Sequence, residues 1–261
     1  MNIIVCVKQV PEIALVSVDE GQGQVKLPQG PGIINPFDSY AIEEALRLKE
    51  VHGGKVTALS LGGKESELAL REALALGADE AVHLSDESFA NVDAIGAAAI
   101  LAAGIRKIGE HDLVLLGKQA VDSDDAAIHG AVGGFLHEPA VMFVRKIESV
   151  ESDKIVVERM TDAGADRVTM ALPAVMSVVK EINEPRLPSL KGKMMAKKKA
   201  IQAYGAADLD LADYQNLLGN GSQVAKAANP PARQKGEMIT GETPEEIADK
   251  LFAKLRENQV I

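Results

Sequence analysis

Short apolar runs alternate with longer segments of helical spacing over the first half of the chain. Runs of about five to seven apolar residues are typical of strands buried on both faces of a parallel sheet. They predict strands at residues 2–7, 55–61, 80–84 and 112–116. Apolar residues recurring every three or four positions predict helices starting at Asp38 or Ser39 and covering residues 65–76, 92–108 and 126–136. This alternation predicts an α/β fold with a doubly wound, mostly parallel sheet.

The pattern changes after residue 136. Strand-like runs at residues 140–147, 154–160 and 167–172 follow one another without a helix, which predicts a hairpin or meander added to the sheet. Another buried strand is predicted at residues 173–179. A polar segment at residues 11–32, inserted after the first strand, predicts a small separate hairpin.

The last part of the chain differs again in composition. It contains Pro185, Pro188, Pro230 and Pro231 together with clustered lysines. We therefore predict an α/β domain over residues 1–182 and an extended arm over residues 183–261. A short helix near residues 207–217 and a terminal helix at residues 244–255 are expected in the arm. The terminal helix has suitable capping residues in Thr243, Pro244 and Glu246. An arm of this length needs another chain to lie on.

Composition excludes several classes of protein. A formal net charge of −10 argues against nucleic acid as a partner, since phosphate backbones require a basic face. A single cysteine allows no internal disulfide and fits a reducing compartment. The apolar segment at residues 94–105 is too short to cross a membrane and is predicted to be a core helix. We expect a cytoplasmic protein without membrane insertion.

The segment DLVLLGKQAVDSDDAAIHGAVGGFL, residues 112–136, is the best candidate for a binding site. It reads as a strand, a polar loop with Asp122 and Asp124 as helix N-caps, and the start of a helix. Helix N-termini bind anions, and ligands of doubly wound sheets lie where the winding reverses. If the first and fourth strands flank that reversal, residues 6–8, 35–38, 117–119 and Leu61 enclose one nucleotide. The alternative is that these are ordinary loop and cap residues.

Residues that could carry chemistry have simpler explanations. Cys6 lies within a buried strand, as a packed and inert thiol would. No His or Cys accompanies Asp122, Asp124 and Asp125 at ligand spacing, so we expect no metal site and interpret these aspartates as capping residues. His129 is interpreted as a hydrogen-bonded structural residue.

Four blocks together resemble one family. They are NPFDSYAIEEALRLKE (residues 35–50), REALALGADEAVHL (71–84), DLVLLGKQAVDSD (112–124) and LPAVMSVVKEINEPRLPSLKGKMMAKKK (172–199). With the terminal helix, they resemble the beta subunit of electron-transferring flavoprotein (ETF) nearly from end to end. The resemblance implies a domain like those of the adenine nucleotide alpha-hydrolases and an arm that wraps the alpha subunit. It also implies an electron carrier without catalytic residues of its own.

Cofactors follow from the same resemblance. It implies FAD shared with the alpha subunit, and AMP bound by the beta subunit. Phe37 and Ile13 would lie near the flavin ring. The few aromatic residues, no Trp, three Tyr and five Phe, also suggest that another chain supplies much of a flavin pocket. The matching cofactor-binding positions are Cys6, Asn35, Pro36, Phe37, Asp38, Leu61, Gly117, Lys118, Gln119, Ala120, Val121, Asp122, Ser123, Asp124, Asp125, Ala126, Ala127 and Ile128.

Partners are implied as well. The resemblance predicts electrons accepted from acyl-CoA or related dehydrogenases, as in fatty-acid β-oxidation, and passed to ETF-quinone oxidoreductase or another acceptor. Residues 183–199 resemble the loop that holds partner dehydrogenases, with Leu190 as its apolar anchor. The predicted partner-binding residues are Glu184, Pro185, Arg186, Leu190, Lys197 and Lys198.

Two questions stay open at this stage. AMP-type members usually carry Thr-Gly where this chain has Ile128-His129, and electron-bifurcating members, which bind a second FAD instead of AMP, usually carry a small apolar residue and Gly. Ile128 fits the second pattern better, whereas DSDDA differs from the usual bifurcating DGDTA. A stand-alone nucleotide-binding module and a nucleotide-hydrolysing enzyme are the alternatives of other classes.

Overall fold

A computed structural model describes residues 1–90, 92–218, 221–222, 224–233 and 235–261. The chain divides into two compact units, residues 1–227 and residues 228–261. The predicted boundary between residues 182 and 183 falls inside the first unit.

The first unit contains the sheet and its helices. Its strands are β1 (Asn2–Cys6), β2 (Gln9–Val10), β3 (Ser17–Asp19), β4 (Gln24–Lys26), β5 (Ile33–Ile34), β6 (Lys55–Leu61), β7 (Glu80–Leu84), β8 (Leu113–Gly117), β9 (Ala140–Val150), β10 (Lys154–Thr161), β11 (Gly164–Ala171), β12 (Ala174–Val178) and β13 (Gln202–Tyr204). Its α-helices are α1 (Pro36–His52), α2 (Glu67–Leu76), α3 (Ala94–Ile108), α4 (Ile128–Leu136) and α5 (Leu190–Ala196).

The main sheet has nine strands in the order β11-β10-β9-β12-β8-β1-β6-β7-β13. From β9 to β13 all neighbours pair in parallel, and only the β9–β10 and β10–β11 pairs are antiparallel. The chain leaves β1 towards β6 and β7, then returns to β8 on the other side of β1. The winding therefore reverses between β1 and β8, where Ile3 pairs with Leu113 and Val5 with Leu115. The predicted doubly wound, mostly parallel fold with an added hairpin is confirmed.

Helices cover both faces of the sheet. On one face, Ile42 and Leu46 of α1 and Leu70 of α2 pack into a buried cluster. On the other face, Ile100 of α3 and Val132 of α4 form a second cluster. The apolar segment at residues 94–105 is thus a core helix, as predicted. Within the described part of the chain, no helix is long and apolar enough to span a membrane.

Strand limits agree more closely with the sequence than helix starts do, since α1 to α4 each begin two or more residues away from the predicted position. α1 begins at Pro36, with Asn35 at the N-cap position, rather than after Asp38 or Ser39. Proline is well suited to the first helical position because its missing N–H would have no helical partner there. α4 begins at Ile128, two residues later than predicted, and Asp122 and Asp124 do not cap it.

The segment after residue 182 contains two elements that the sequence analysis missed. β13 adds a parallel edge strand beside β7, pairing Ala203 with His83. α5 packs on α2 so closely that a Cβ on Gly192 would clash with the carbonyl oxygen of Ala75. Arg71 of α2 donates a hydrogen bond of 2.7 Å to the carbonyl oxygen of Ala196. Residues 183–204 are therefore attached to the sheet domain.

Other short elements are close to their predictions. The hairpin expected within residues 11–32 is the β3–β4 pair. The short helix expected near residues 207–217 consists of two 3-10 helices, Ala206–Asp208 and Ala212–Leu217.

The second unit contains one helix, α6 (Pro244–Glu257), among its described residues. Thr243 caps it by accepting a hydrogen bond from the N–H of Glu246, as the sequence predicts. Ile247, Leu251 and Phe252 along this helix are 38 %, 46 % and 52 % exposed. The unit thus presents apolar side chains to its surroundings.

Candidate functional site

A cavity of about 440 Å³ lies at the carboxyl ends of β1, β6 and β8. A volume of this size is typical of small-ligand sites. Of the residues predicted to bind a cofactor, those lining the cavity are Cys6, Asn35, Asp38, Leu61, Gly117, Gln119, Ala120, Ser123, Asp125 and Ile128. The structure therefore brings together, around one cavity, side chains from each of the predicted strand ends.

The other predicted residues do not line this cavity. They are Pro36, Phe37, Lys118, Val121, Asp122, Asp124, Ala126 and Ala127. Each is adjacent in sequence to a lining residue, and several hold the lining residues in place.

One wall of the cavity was not predicted from the sequence. Val7 and Lys8, within the predicted segment 6–8, also line the cavity, and the lining residues absent from the prediction are Gly62, Phe89, Val92, Asp93, Ala94, Ala97, Leu101, Leu116 and His129. Phe89, residues 92–94, Ala97 and Leu101 form the wall beside the first turns of α3. A signal for this wall existed in the sequence, because β7 ends at the same edge of the sheet and Asp93 is a suitable N-cap. The carboxylate of Asp93 accepts hydrogen bonds from the N–H groups of Ile95 and Gly96.

Asp38 joins the ends of the two central strands to the start of α1. Its Oδ2 accepts a hydrogen bond of 2.7 Å from the N–H of Lys8, after β1. The N–H of Gly117, at the end of β8, also donates to this carboxylate. Burial raises the pKa of Asp38 to about 7, although these hydrogen bonds and the charge of Lys8 oppose the change. Asp38 therefore changes charge near neutral pH.

Asn35 extends this connection to the following loop. Its side-chain Nδ2 lies 2.8 Å from Asp38 Oδ1 and 2.9 Å from the carbonyl oxygen of Gln119. Its Oδ1 accepts a hydrogen bond of 3.2 Å from the N–H of Val121. The side-chain amide thus donates to one carbonyl group of the loop and accepts from one N–H group, as the backbone of a neighbouring strand would. Because the side chain is engaged in this way, it does not cap α1.

The aspartates of the loop 118–127 have partners other than the end of α4. Asp122 forms an ion pair of 2.8 Å with Lys8, and Asp124, at a φ of 55°, accepts a hydrogen bond from the side chain of Gln119. Asp125 Oδ1 accepts a hydrogen bond of 2.7 Å from the N–H of Ala127. Within the described part of the chain, no side chain caps the first turn of α4. Free N–H groups and the positive end of the helix dipole therefore remain for an anion.

The rest of the cavity is largely apolar. Leu61, Phe89, Leu101 and Leu116 contribute hydrocarbon surface. Cys6 also lines the cavity, and burial raises the pKa of its thiol well above the ordinary value, so the thiol stays protonated. The cavity therefore combines apolar walls with the uncapped start of α4. No group of three His, Cys, Asp or Glu side chains arranged to hold a metal ion occurs among the described residues.

His129 is buried and hydrogen-bonded, as predicted. Only 1 % of its surface is exposed. Its Nε2 lies 2.7 Å from the carbonyl oxygen of Gly117, and its Nδ1 lies 2.9 Å from that of Ala126. Desolvation lowers the pKa of this ring, and its two carbonyl contacts and the charge of Asp125 partly counteract that effect.

An aromatic cluster that is not part of the cavity lining adjoins Gly117. Lys118 Nζ lies 5.9 Å from the ring centre of Phe37 and 6.0 Å from that of Phe143, within the range of cation–π contacts. Phe143 adopts a φ of 64°, where β9 and β12 shift register. Ile13, the other residue predicted near a flavin, lies in a short 3-10 helix and is 44 % exposed.

The predicted partner segment is held at its base and exposed beyond it. Asn183 Nδ2 donates to the carbonyl oxygen of Tyr40 and to Glu44, both on α1. Arg186 forms ion pairs of 2.8 Å with the buried Glu43 and 2.6 Å with Glu50. These carboxylates raise the pKa of Arg186, so its role in this segment is that of an anchor.

Beyond this anchor the side chains face outwards. Leu187, which the sequence analysis missed, is 90 % exposed, and Leu190 is 77 % exposed. Of the other predicted partner-binding residues, Glu184, Lys197 and Lys198 are exposed and Pro185 is half-buried. Leu187 and Leu190 are thus accessible, in a segment that also contains exposed lysines.

Comparisons with known proteins match the whole chain. A family model described as the electron transfer flavoprotein domain matches residues 25–209. The chain belongs to the electron transfer flavoprotein family. It is 39 % identical to the electron transfer flavoprotein subunit beta of Thermoanaerobacterium thermosaccharolyticum, over the full length of both chains. It is 38 % identical to the caffeyl-CoA reductase–Etf complex subunit CarD of Acetobacterium woodii, again over both full lengths. Protein FixA of Azotobacter vinelandii is 34 % identical over 98 % of this chain and 94 % of its own.

The predicted resemblance to the ETF beta subunit is thereby confirmed. Membership of this family implies association with flavin and a partner alpha subunit. The related proteins are named as electron transfer flavoprotein subunits, which are electron carriers.

Gly117 has no room for a side chain. An ideal Cβ would lie 2.5 Å from the carbonyl carbon of Phe37 and closer still to Asp38 Oδ1. We expect G117A to push α1 away from β8 and to lower the free energy of unfolding by about 1–3 kcal/mol. Urea denaturation followed by circular dichroism measures this difference.

The matched control is G134A, in α4. A Cβ on Gly134 meets no described atom within 4 Å. Alanine at such a helical position stabilises by roughly 0.5–1 kcal/mol. Equal effects of the two substitutions would contradict the close approach of α1 to β8.

The raised pKa of Asp38 predicts a pH dependence. Its folded-state pKa of about 7 lies above the ordinary value of 3.8, so its contribution to stability is fully present below pH ~4 and is lost as the pH rises to ~7. Relative to D38N, which does not titrate, wild type should lose on the order of 4 kcal/mol across this range and nothing more above it. Urea denaturation of both proteins from pH 4 to pH 8 measures the difference, and a constant difference would show that the carboxyl keeps an ordinary pKa.

Removing the guanidinium of Arg186 should loosen the partner segment locally. Charge-assisted hydrogen bonds contribute roughly 1.5–3 kcal/mol, less for a half-exposed side chain, so R186A should speed tryptic cleavage within residues 183–199 by about fivefold. Mass spectrometry of timed digests locates the cuts. R145A, which removes the partner of Glu158 on the hairpin, is the control and should leave these cuts unchanged.

Proposed function

We propose that this chain is the beta subunit of a heterodimeric, cytoplasmic electron transfer flavoprotein that binds AMP in the 440 Å³ cavity. FAD, shared with the alpha subunit, supplies the electron-carrying chemistry. The heterodimer accepts electrons from acyl-CoA or related dehydrogenases, as in fatty-acid β-oxidation, and passes them to ETF-quinone oxidoreductase or another acceptor. The residues of this chain bind and orient the cofactors and contribute no acid–base or covalent step.

One observation supports the nucleotide most strongly. The cavity lies where the winding of the sheet reverses, and the first turn of α4, without a side-chain cap among the described residues, opens into it. Ligands of doubly wound sheets bind at such positions. The N–H groups of Ile128 and His129, with those of the preceding loop, would hold the phosphate. Phe89, Leu101 and Leu116 would contact the adenine.

The aspartates around the cavity support binding rather than hydrolysis. Asp38 is engaged by two strand ends, Asp122 by Lys8 and Asp125 by the N–H of Ala127. These contacts give the carboxylates a structural role in holding the strand ends and the loop. A nucleotide-hydrolysing enzyme is therefore a poorer match.

We also propose roles for the surfaces outside the cavity. Leu187 and Leu190, held by the Arg186 anchor, would contact dehydrogenases through a small apolar patch. Burial of one leucine contributes roughly 1.5–3 kcal/mol, which suits a transient complex. The second unit, with the exposed apolar residues of α6, would lie on the alpha subunit. Lys118, Phe37 and Ile13 would face the shared flavin.

A second FAD in place of AMP is the alternative. In favour of a second FAD, Ile128 at the start of α4 lines the cavity with an apolar side chain, as in bifurcating members. Against it, the sequence DSDDA differs from the DGDTA that bifurcating members usually carry. Since the two forms differ in flavin content, composition of the purified complex distinguishes them.

The test is to purify the chain with and without its co-expressed alpha subunit. We expect flavin absorbance only in the co-purified pair, with one FAD and one AMP released per heterodimer on chromatography of the denatured sample. Two FAD and no AMP would assign the alternative. A stable, colourless monomer with ATPase activity would overturn both.

A matched pair of variants tests the position of the nucleotide. I128D places a carboxylate at the first position of α4, where it should repel a phosphate, and we expect AMP to be lost while the shared FAD is retained. G134D adds the same charge to the exposed side of the same helix and should retain both. Retention of AMP in I128D would show that the phosphate binds elsewhere.

A further inference from the structure

His129 connects the two ends of the loop that lines the cavity. Its Nε2 contacts the carbonyl oxygen of Gly117, immediately before the loop 118–127, at 2.7 Å. Its Nδ1 contacts the carbonyl oxygen of Ala126, near the end of the loop, at 2.9 Å. The ring also lines the cavity. One buried side chain therefore fixes how far apart the loop ends are.

Both contacts require a donor from the ring. A neutral imidazole has one N–H donor, and its other nitrogen is an acceptor. Both partners here are carbonyl oxygens, which cannot donate. In the neutral ring, one lone pair must therefore face a carbonyl oxygen at hydrogen-bonding distance. In the protonated ring both nitrogens donate, and both carbonyl groups are satisfied.

The surroundings decide which form is present without a ligand. Burial disfavours the charged ring, and among charged groups Asp125 on the loop favours it. The other ionisable groups lining the cavity are Cys6, Lys8, Asp38 and Asp93. Beneath α4, the sequences of β8 (LVLLG) and β12 (AVMSV) contain no ionisable side chain. On β9, Arg145 is paired with Glu158. Of the three aspartates in the loop, Asp125 is the one whose charge counteracts the desolvation of the ring.

A phosphate at the start of α4 would change this balance. It adds negative charge beside a ring that is the second residue of the helix. Opposite charges attract strongly where water is scarce, so the charged ring becomes favoured.

We propose that His129 is the positioning residue that closes the nucleotide loop, and that nucleotide binding is linked to the uptake of one proton by its imidazole ring. This inference rests on the proposed binding of a nucleotide in the cavity. The proton comes from solvent, and the ring then donates one hydrogen bond to each end of the loop. By reciprocity, the affinity for the nucleotide rises as the pH falls.

The test uses the full chain, depleted of nucleotide, and AMP as the probe. Two-bond ¹H–¹⁵N spectra at pH 7.5 report the protonation of each ring nitrogen. We expect one neutral tautomer of His129 without AMP and a ring protonated on both nitrogens with AMP. Titration calorimetry in buffers of different ionisation enthalpy counts the protons taken up. A ring that is protonated at pH 7.5 only in the complex requires its pKa to rise by more than one unit on binding, so the affinity for AMP should increase on the order of tenfold from pH 8 to pH 6.

Two variants isolate the contribution of this ring. H129Q can donate to only one of the two carbonyl groups at a time and does not titrate. We expect it to bind AMP more weakly than wild type by a factor that grows as the pH falls, with the proton uptake lost. The AMP phosphate itself titrates near pH ~6 and contributes equally to the pH dependence of both proteins. The difference between wild type and H129Q therefore reports the contribution of the ring alone. H111Q alters a histidine at the opposite end of β8 and should match wild type.

Each outcome bears on a separate claim. AMP binding with a neutral His129 ring, or with the same pH dependence in H129Q as in wild type, overturns this inference and leaves the proposed function intact. Failure of wild type, H111Q and H129Q alike to bind AMP, with circular dichroism showing them folded, overturns the nucleotide site and this inference together.

Discussion

The carboxylate of Asp38 connects the ends of two parallel strands to the start of a helix, and the candidate site depends on that connection. The pairing between β1 and β8 ends at Val5 and Leu115, so the N–H groups of Lys8 and Gly117 lie beyond it and need another acceptor, since a buried N–H without a partner is costly. Asp38 accepts from both. The missing side chain at Gly117 lets α1 come close enough for this contact. Asn35 then attaches the loop, and the loop forms one side of the cavity.

The sheet follows from local patterns in the sequence, but the helix starts do not. β6 and β7 match their predicted limits residue for residue, because a buried parallel strand is an apolar run bounded by glycine or polar residues. Capping rules favoured Asp38 for α1 and Asp122 for α4, since an aspartate is a good cap wherever it is free. Neither carboxylate is free: one accepts N–H groups from two strands, and the other is paired with Lys8. Such contacts join residues 30 and 114 positions apart and leave no local signal.

The candidate site was predictable to the extent that strand ends define it. The rule about the reversal point brings the tips of β1 and β8 together with Asn35, Asp38 and Leu61, and the cavity is found there. The rule about the reversal point says nothing of the wall formed by Phe89, residues 92–94, Ala97 and Leu101, because that wall follows β7, which ends at the same edge but lies outside the reversal. β13 was missed for a different reason. Three residues, QAY, are too few to show a period, and only the exposed edge of β7 makes them a strand.

At the proposed site, the backbone would be the main group that holds an anion. The net charge is −10, and Lys8, which lines the cavity, is already paired with Asp122. The remaining groups that could attract a phosphate are backbone N–H groups and a helix dipole. Their interaction with an anion depends on its direction and distance. This explains why so many side chains at this edge, Asn35, Asp38, Gln119 and His129 among them, contact the backbone or the loop instead of pointing at a ligand.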